Sequence, residues 1–367
     1  MPGLVKALSA RLPDDAARQV HRGATSQDVI DTAAMLVTRR ALVPLLDDLA
    51  AAADACAELA ARYRDAPIAG RTLLQQALPV TFGLKAAQWL SGLDEARAAL
   101  EEVRARVPAL QLGGAVGTLA SLGEHGLAVS AEMARRLELP EPALPWHTVR
   151  VRPALLAGVL GSAAGVIGKV ARDVTLLAQT ELGEAAEGGG EGRGGSSTLP
   201  HKRNPVAAVA ALACAQRVPG LVATMLAAMT QEHERAAGAW QAEWETLSEL
   251  LLLTGSAAAA LRESLESLEP DTARMRENLD LTGGLLMSES VATSLGESLG
   301  RPAANELLGR ASGRAAEEQR PLRDVLLEES EVVGALGENG IDAALDPESY
   351  LGVAGRLIDR ALEAHRG

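Results

Sequence analysis

Residues 194–205, GGSSTLPHKRNP, gather more chemistry-capable groups than any other dozen positions in the chain. Gly194 and Gly195 free the backbone and Ser196 and Ser197 supply adjacent hydroxyls. Lys202 and Asn204 follow six and eight residues after Ser196. Pro200 and Pro205 bracket that basic and amide pair and stiffen the exit. Such a loop can swing over a pocket, set a hydroxyl against a C–H bond and bring a cation to a carboxylate. Removing a proton beside a carboxylate requires those parts, because fixed donors must meet the charge that develops on the acid. A surface turn running into a helix start would explain a lone GSS, but not the whole dodecamer.

Three further segments carry candidate groups. HRGATSQD (21–28) places Thr25 and Ser26 at a helix start, where hydroxyls and free N–H groups suit an anion. Plain capping by Ser26 and Asp28 is the alternative. In AGRTLLQQALP (69–79), Thr72 and Gln75 lie three apart, which predicts one face of a helical turn with Arg71 nearby. That polar hand could grip a carboxylate, or be a charged loop entering a buried helix. Histidine is the side chain whose unperturbed charge change falls near neutrality, so His147, in PWHTVRVR (145–152), could act as an acid or touch substrate. It could equally cap or pack. Glu232, His233 and Glu234 lack the paired histidines of a zinc helix, so no metal is expected. GGAVG (113–117) follows no strand, which argues against a dinucleotide, and no cofactor is predicted.

The elements that must position these groups read as helices. Apolar periodicity predicts helices over 28–63, 80–106, 119–138, 151–182, 204–232 and 239–267, with shorter ones from Pro270 onward. The 151–182 stripe runs through Leu156, Leu160, Ala163, Ile167, Val170, Val174 and Leu177. A helix of about thirty residues spans roughly 45 Å, more than a compact domain needs, so this stripe is expected to meet other subunits. No alternating strand pattern reaches convincing length. The expected fold is all-α: a remnant of an N-terminal domain (1–27), a central long-helix bundle (28–271) carrying the loop 184–205, and a small C-terminal helical domain (272–367).

Bulk properties restrict the partners. Among 367 residues there are one Phe, two Tyr and four Trp, which favours close-packed helices over sheets. A net charge of −13 argues against nucleic acid, and a small anionic substrate would need a local positive pocket. Cys56 and Cys214 fit no metal spacing and suit a reduced, cytoplasmic setting. No run of about twenty apolar residues and no charged-then-apolar leader is apparent, so neither a membrane span nor export is expected.

Together the segments resemble the fumarase/aspartase superfamily. GGSSTLPHKRNP is similar to its mobile-loop motif GSSxMPxKxNP, with Leu199 in place of Met, and HRGATSQD and GRTLLQQALP resemble its two carboxylate-binding segments. HRGATSQDVIDTA, GRTLLQQALPVTFGLKAA, QEHER, AEWETL and NLDLTGGL resemble the bacterial branch that cycloisomerises 3-carboxy-cis,cis-muconate, and the likeness runs from about residue 4 to 365. The resemblance implies a homotetramer with active sites shared between subunits. It also implies a small tricarboxylate substrate and cofactor-free proton transfer between 3-carboxy-cis,cis-muconate and 4-carboxymuconolactone. By the loop match Ser196 is implied as base. Lys202 and Asn204 would meet the charge on the reacting carboxylate, while Thr25, Ser26, Thr72, Gln75, Ser197 and His147 would bind substrate.

Two departures stand out. Where the superfamily's amine-releasing lyases carry histidine after GRT, this chain has Leu73. That weakens an adenylosuccinate-type reading and suits a reaction whose leaving group is a stable carboxylate. The chain also begins inside a region that family members precede with further helices, which implies a misassigned start or a shortened protein. The competing readings are another lyase acting on a succinate-like substrate and a non-catalytic helical scaffold.

Overall fold

The computed structural model describes residues 1–188, 194, 195, 198, 199 and 201–367. Two short helices, α1 (Pro2–Ser9) and α2 (Asp14–Ala17), precede the 37-residue α3 (Ser26–Arg62). A hairpin of β1 (Pro67–Thr72) and β2 (Gln75–Thr81) leads into α4 (Phe82–Arg106), followed by α5 (Gly126–Leu137) and α6 (Val151–Leu177). Next come β3 (Ala185–Glu187), α7 (Val206–Ala227), α8 (Ala239–Glu266) and β4 (Leu268–Pro270). The remaining helices are α9 (Thr272–Leu279), α10 (Ser288–Leu299), α11 (Arg301–Glu318), α12 (Leu322–Glu328), α13 (Ser330–Leu345) and α14 (Ala354–Arg366).

The all-α expectation holds, with one exception that matters. Two small antiparallel sheets exist, β1–β2 and β3–β4, where no strand was expected. Their pairing is local or three residues long, too short to leave an alternating signature. Helix ends also move. The fourth predicted helix stops at Leu177 rather than 182, because the chain turns through Gly183 at φ +61° and Glu184 donates back to the Leu177 carbonyl. The helix expected over 119–138 opens instead with a 3₁₀ segment, Ala120–His125, broken at Gly123.

The chain divides into two compact units. The first comprises Met1–Ala51, Leu93–Ala171 and Val209–Arg262; the second comprises Ala52–Gly92, Arg172–Ala208 and Glu263–Gly367.

In the first unit, Leu42, Leu45, Leu46 and Leu49 of α3 are buried, as their spacing predicts. Leu156, Leu160, Ala163, Ile167 and Val170 of α6 are buried as well. This corrects the expectation that the α6 stripe faces other subunits: it is core of its own chain. Close packing explains the change. A Cβ at Gly161 would lie 2.9 Å from Val222, and one at Gly168 would lie 3.3 Å from Ala215, so glycine lets α7 approach α6. On α7, Val209 and Leu226 are exposed, as are Val151 and Leu155 at the start of α6. Both α6 and α7 are long and apolar enough to cross a membrane by length and composition, which the sequence reading overlooked. Half of the apolar window of α6 is buried in the chain, against 28% for α7.

In the second unit, Tyr63, Phe82 and Trp89 stack edge to face across centroid distances of 5.5 and 5.9 Å. Trp89 donates its indole N–H to Asp173 at 2.7 Å. Helices α10 to α13 enclose a separate apolar cluster that includes Val291, Leu295, Leu307, Leu322, Val325 and Ile341.

Candidate active site

The predicted site residues fall in both units. Thr25, Ser26 and His147 belong to the first; Thr72, Gln75, Lys202 and Asn204 belong to the second. Ser196 and Ser197 lie outside the described residues.

In the first unit, α3 begins at Ser26 and its third residue, Asp28, turns back on the helix start. The Asp28 carboxylate accepts from Thr25 N at 2.8 Å, which is half of a capping box. It also accepts from the main-chain N–H groups of Gly113 (3.0 Å) and Gly114 (2.9 Å), and contacts His147 Nε2 at 2.6 Å. An ionised Asp28 accepts only, so His147 donates from Nε2. Gly114 adopts φ +70°, and a Cβ there would meet the Gly23 carbonyl at 2.7 Å, so only glycine fits this turn. Thr25 and Ser26 stay half-buried while Gln27 and Asp28 are buried. Thr25 and Ser26 therefore stand at the positive end of a 37-residue helix, over an anchored base. That arrangement can hold a carboxylate.

A buried ionic cluster joins α3 and α8 to the segment just before α6. Arg150 donates to Asp31 at 2.7 Å and to Glu243 at 2.5 Å, its ring-facing side stacks 4.7 Å over Trp146, and Trp240 donates to Asp31 at 3.0 Å. Burial opposes the Arg150 charge, but its bonds to Glu243 and Asp31 prevail and raise its pKa. Burial pushes the Glu243 carboxyl up, against the pull of Arg150.

In the second unit the expected helical turn around Thr72 and Gln75 is replaced by a hairpin, and the two residues pair across its last rung. The reason is the local chain: Ala69, Leu78 and Val80 support strand pairing, and the connection is a two-residue turn. Leu73 and Leu74 form that turn at φ +51° and +65°, in the left-handed region, and they are 97% and 77% exposed. The hairpin is braced one rung from its tip. Arg71 makes a two-pronged bond to Glu184 at 2.7 and 2.8 Å, Glu184 is fully buried, and Asn278 donates to the same carboxylate at 2.9 Å. Gln76 donates to the Asn278 carbonyl at 2.8 Å.

Past the serine pair, Asn204 donates from its amide and its main-chain N–H to the Gly194 carbonyl, at 2.9 and 2.8 Å. Those bonds clamp the two ends of the dodecamer together. Lys202 is exposed. Glu187 caps α7 by accepting from Ala207 and Ala208 N–H at 3.0 and 2.8 Å, and Arg203 donates to Glu269 at 3.0 Å. Among the described residues no group of three His, Cys, Asp or Glu side chains could hold a metal ion.

Sequence reasoning missed the Arg150 cluster and the Arg71–Glu184 pair, whose members stand about a hundred positions apart and leave no local pattern. Asp28 was legible, because an acid at the third helical position signals a capping box.

Comparison with known proteins adds three findings. Residues 4–220 match a family model described as lyase, and residues 284–361 match the adenylosuccinate lyase C-terminus. The chain is 50% identical over 364 residues to a 3-carboxy-cis,cis-muconate cycloisomerase of Bradyrhizobium diazoefficiens, covering 98% of this chain and 81% of that protein. It is 46% identical over 371 residues to a nitrosuccinate lyase of Streptomyces davaonensis, covering 98% and 78%. Among solved structures it is similar to the 3-carboxy-cis,cis-muconate lactonizing enzyme from Pseudomonas putida, with a TM-score of 0.92 and 46% identity over 99% of this chain and 81% of that one.

Proposed function

Since the chain belongs to the fumarase/aspartase lyase family, we propose that it interconverts 3-carboxy-cis,cis-muconate and 4-carboxymuconolactone as a cofactor-free cycloisomerase. The observation that carries this reading is the 50% identity to a cycloisomerase across 98% of the chain. The helix start at Thr25 and Ser26 and the braced hairpin at Thr72 and Gln75 supply donors for carboxylates, as a tricarboxylate substrate requires.

In the lactone-opening direction, a base removes the proton beside a carboxylate, and the C–H electron pair moves into that carboxylate to give an aci-carboxylate dianion. The dianion collapses, the ring C–O bond breaks with its electron pair going to oxygen, and a free carboxylate leaves. Closure runs the same steps in reverse. Ser196 takes the base role in this reading, its alkoxide stabilised by loop amides and a nearby cation, while Lys202 and Asn204 meet the charge that develops on the reacting carboxylate and Ser197 contacts substrate. Thr25, Ser26, Thr72 and Gln75 hold the remaining carboxylates, removing orientational freedom before the proton moves. The leaving carboxylate needs no protonation, which fits an apolar Leu73 beside Thr72.

In this reading the active form is a homotetramer with sites completed by neighbouring subunits, and exposed apolar residues of α7, Val209 and Leu226, support subunit contact. The two cysteines of the sequence, Cys56 and Cys214, suit a reducing cytoplasm in this reading, and the substrate places the reaction in protocatechuate degradation. Elimination of a nitrogen-bearing group from a succinate skeleton is the second reading, favoured by the 46% identity to a nitrosuccinate lyase. Purified protein incubated with each substrate separates them: loss of the ultraviolet absorbance of the conjugated diene supports the first, and nitrite release without diene turnover supports the second.

A further inference from the structure

His147 entered as a candidate acid or substrate ligand, but its surroundings give it different work. The residue is 4% exposed, and the ring nitrogen Nε2 is committed to Asp28 at 2.6 Å. The two oxygens of Asp28 then hold four donors: Thr25 N, Gly113 N, Gly114 N and His147 Nε2. A carboxylate has about four acceptor positions, so the set is saturated.

A second path of bonds returns to the same residue. Gln27 donates to the His147 carbonyl at 2.7 Å, and its own carbonyl oxygen accepts from Arg235 at 2.6 Å. Arg235 also donates to the carbonyls of Ala115 (2.7 Å) and Gly114 (3.2 Å). The ring closes through Gly114 N and Asp28. Four distant segments, around residues 27, 114, 147 and 235, are thereby locked about the first turn of α3. The packing is as tight as the bonding: a Cβ at Gly113 would lie 2.7 Å from His147 Cε1.

We infer that His147 is a positioning residue for the proposed reaction, acting through Asp28 to hold the α3 start and the Gly113–Gly114 turn in the geometry that binds a substrate carboxylate. This rests on the reading of Thr25 and Ser26 as carboxylate donors. A carboxylate that keeps its charge throughout the reaction is held equally in ground and transition states, so loosening its donors raises KM and spares kcat. A proton donor would show the reverse.

The test compares wild-type protein with His147→Leu and His147→Gln. Turnover of 3-carboxy-cis,cis-muconate is measured together with hydrogen exchange of the Thr25, Gly113 and Gly114 amides. Leucine is expected to raise KM about tenfold or more, in the range found when supporting residues are removed, with little change in kcat and faster exchange at all three amides. Glutamine, whose side-chain N–H can still reach Asp28, is expected to restore both. An unchanged KM in the leucine variant overturns the inference. So does a collapse of kcat that glutamine leaves unrepaired, which would make His147 a proton donor. If the leucine variant does not fold, glutamine decides: wild-type KM and exchange support the inference, and a raised KM with slow exchange overturns it. A wild-type protein that ignores this substrate would defeat the cycloisomerase reading instead, and the exchange data would still judge the positioning.

Discussion

Individual residues here do two kinds of work, and their variants should separate cleanly. If Ser196 is the base, Ser196→Ala lowers kcat by about a hundredfold or more while thermal unfolding and assembly stay as in the parent; activity within tenfold would refute the role. Arg150 belongs to the other kind. It is buried between Asp31 and Glu243, and removing it strands two carboxylates away from water. Arg150→Met should therefore cost about 3–5 kcal/mol in urea unfolding; a loss below 1 kcal/mol would mean water reaches the pair. Of these residues, the loop groups were legible because they lie within one dodecamer. The Arg150 cluster was not, since Asp31 comes from α3, Arg150 and Trp146 from the segment before α6, and Trp240 and Glu243 from α8, and they meet only on folding.

At the scale of elements, the hairpin tip is the clearest departure from local rules. Two-residue turns of this kind favour Asn-Gly, and leucine in the left-handed region costs about 1 kcal/mol or more. Leu73→Asn with Leu74→Gly should thus raise the unfolding temperature by a few degrees; an unchanged or lower temperature would show that the exposed leucines contribute contacts to the folded state. Helix α5 offers a pH test. The hydrogen bonds from Arg135 and Arg136 hold Glu132 down to about 2, against an ordinary 4.5. A depressed value means that its contribution is complete above 4.5 and is lost as pH falls through about 2. The difference in unfolding temperature between wild type and Glu132→Gln should be small, constant above pH 4.5 and absent below about 2. A difference that grows on acidification would contradict the pairing.

For the whole molecule, the proposed assembly can be tested at α7, where Val209 and Leu226 are exposed. Val209→Glu with Leu226→Glu puts charge into that face and should reduce the species seen by light scattering at micromolar concentration. A wild-type mass for the variant would place the contact elsewhere. Family and all-α class could be taken from the sequence alone, and the segments proposed to carry the chemistry could be named there, because each depends on neighbours within about a dozen positions: helical periodicity, a capping box, a Gly-Ser-Ser loop ending in Lys202 and Asn204. Which face of α6 is core, that Thr72 and Gln75 oppose each other across strands, and that His147 serves Asp28 required the tertiary structure. His147 and Asp28 meet across 119 positions and α6 packs against the later α7, while the Thr72–Gln75 rung rests on a two-residue turn that leaves no alternating pattern; packing decides the first two, because a periodic apolar face says that it will be buried and not against what.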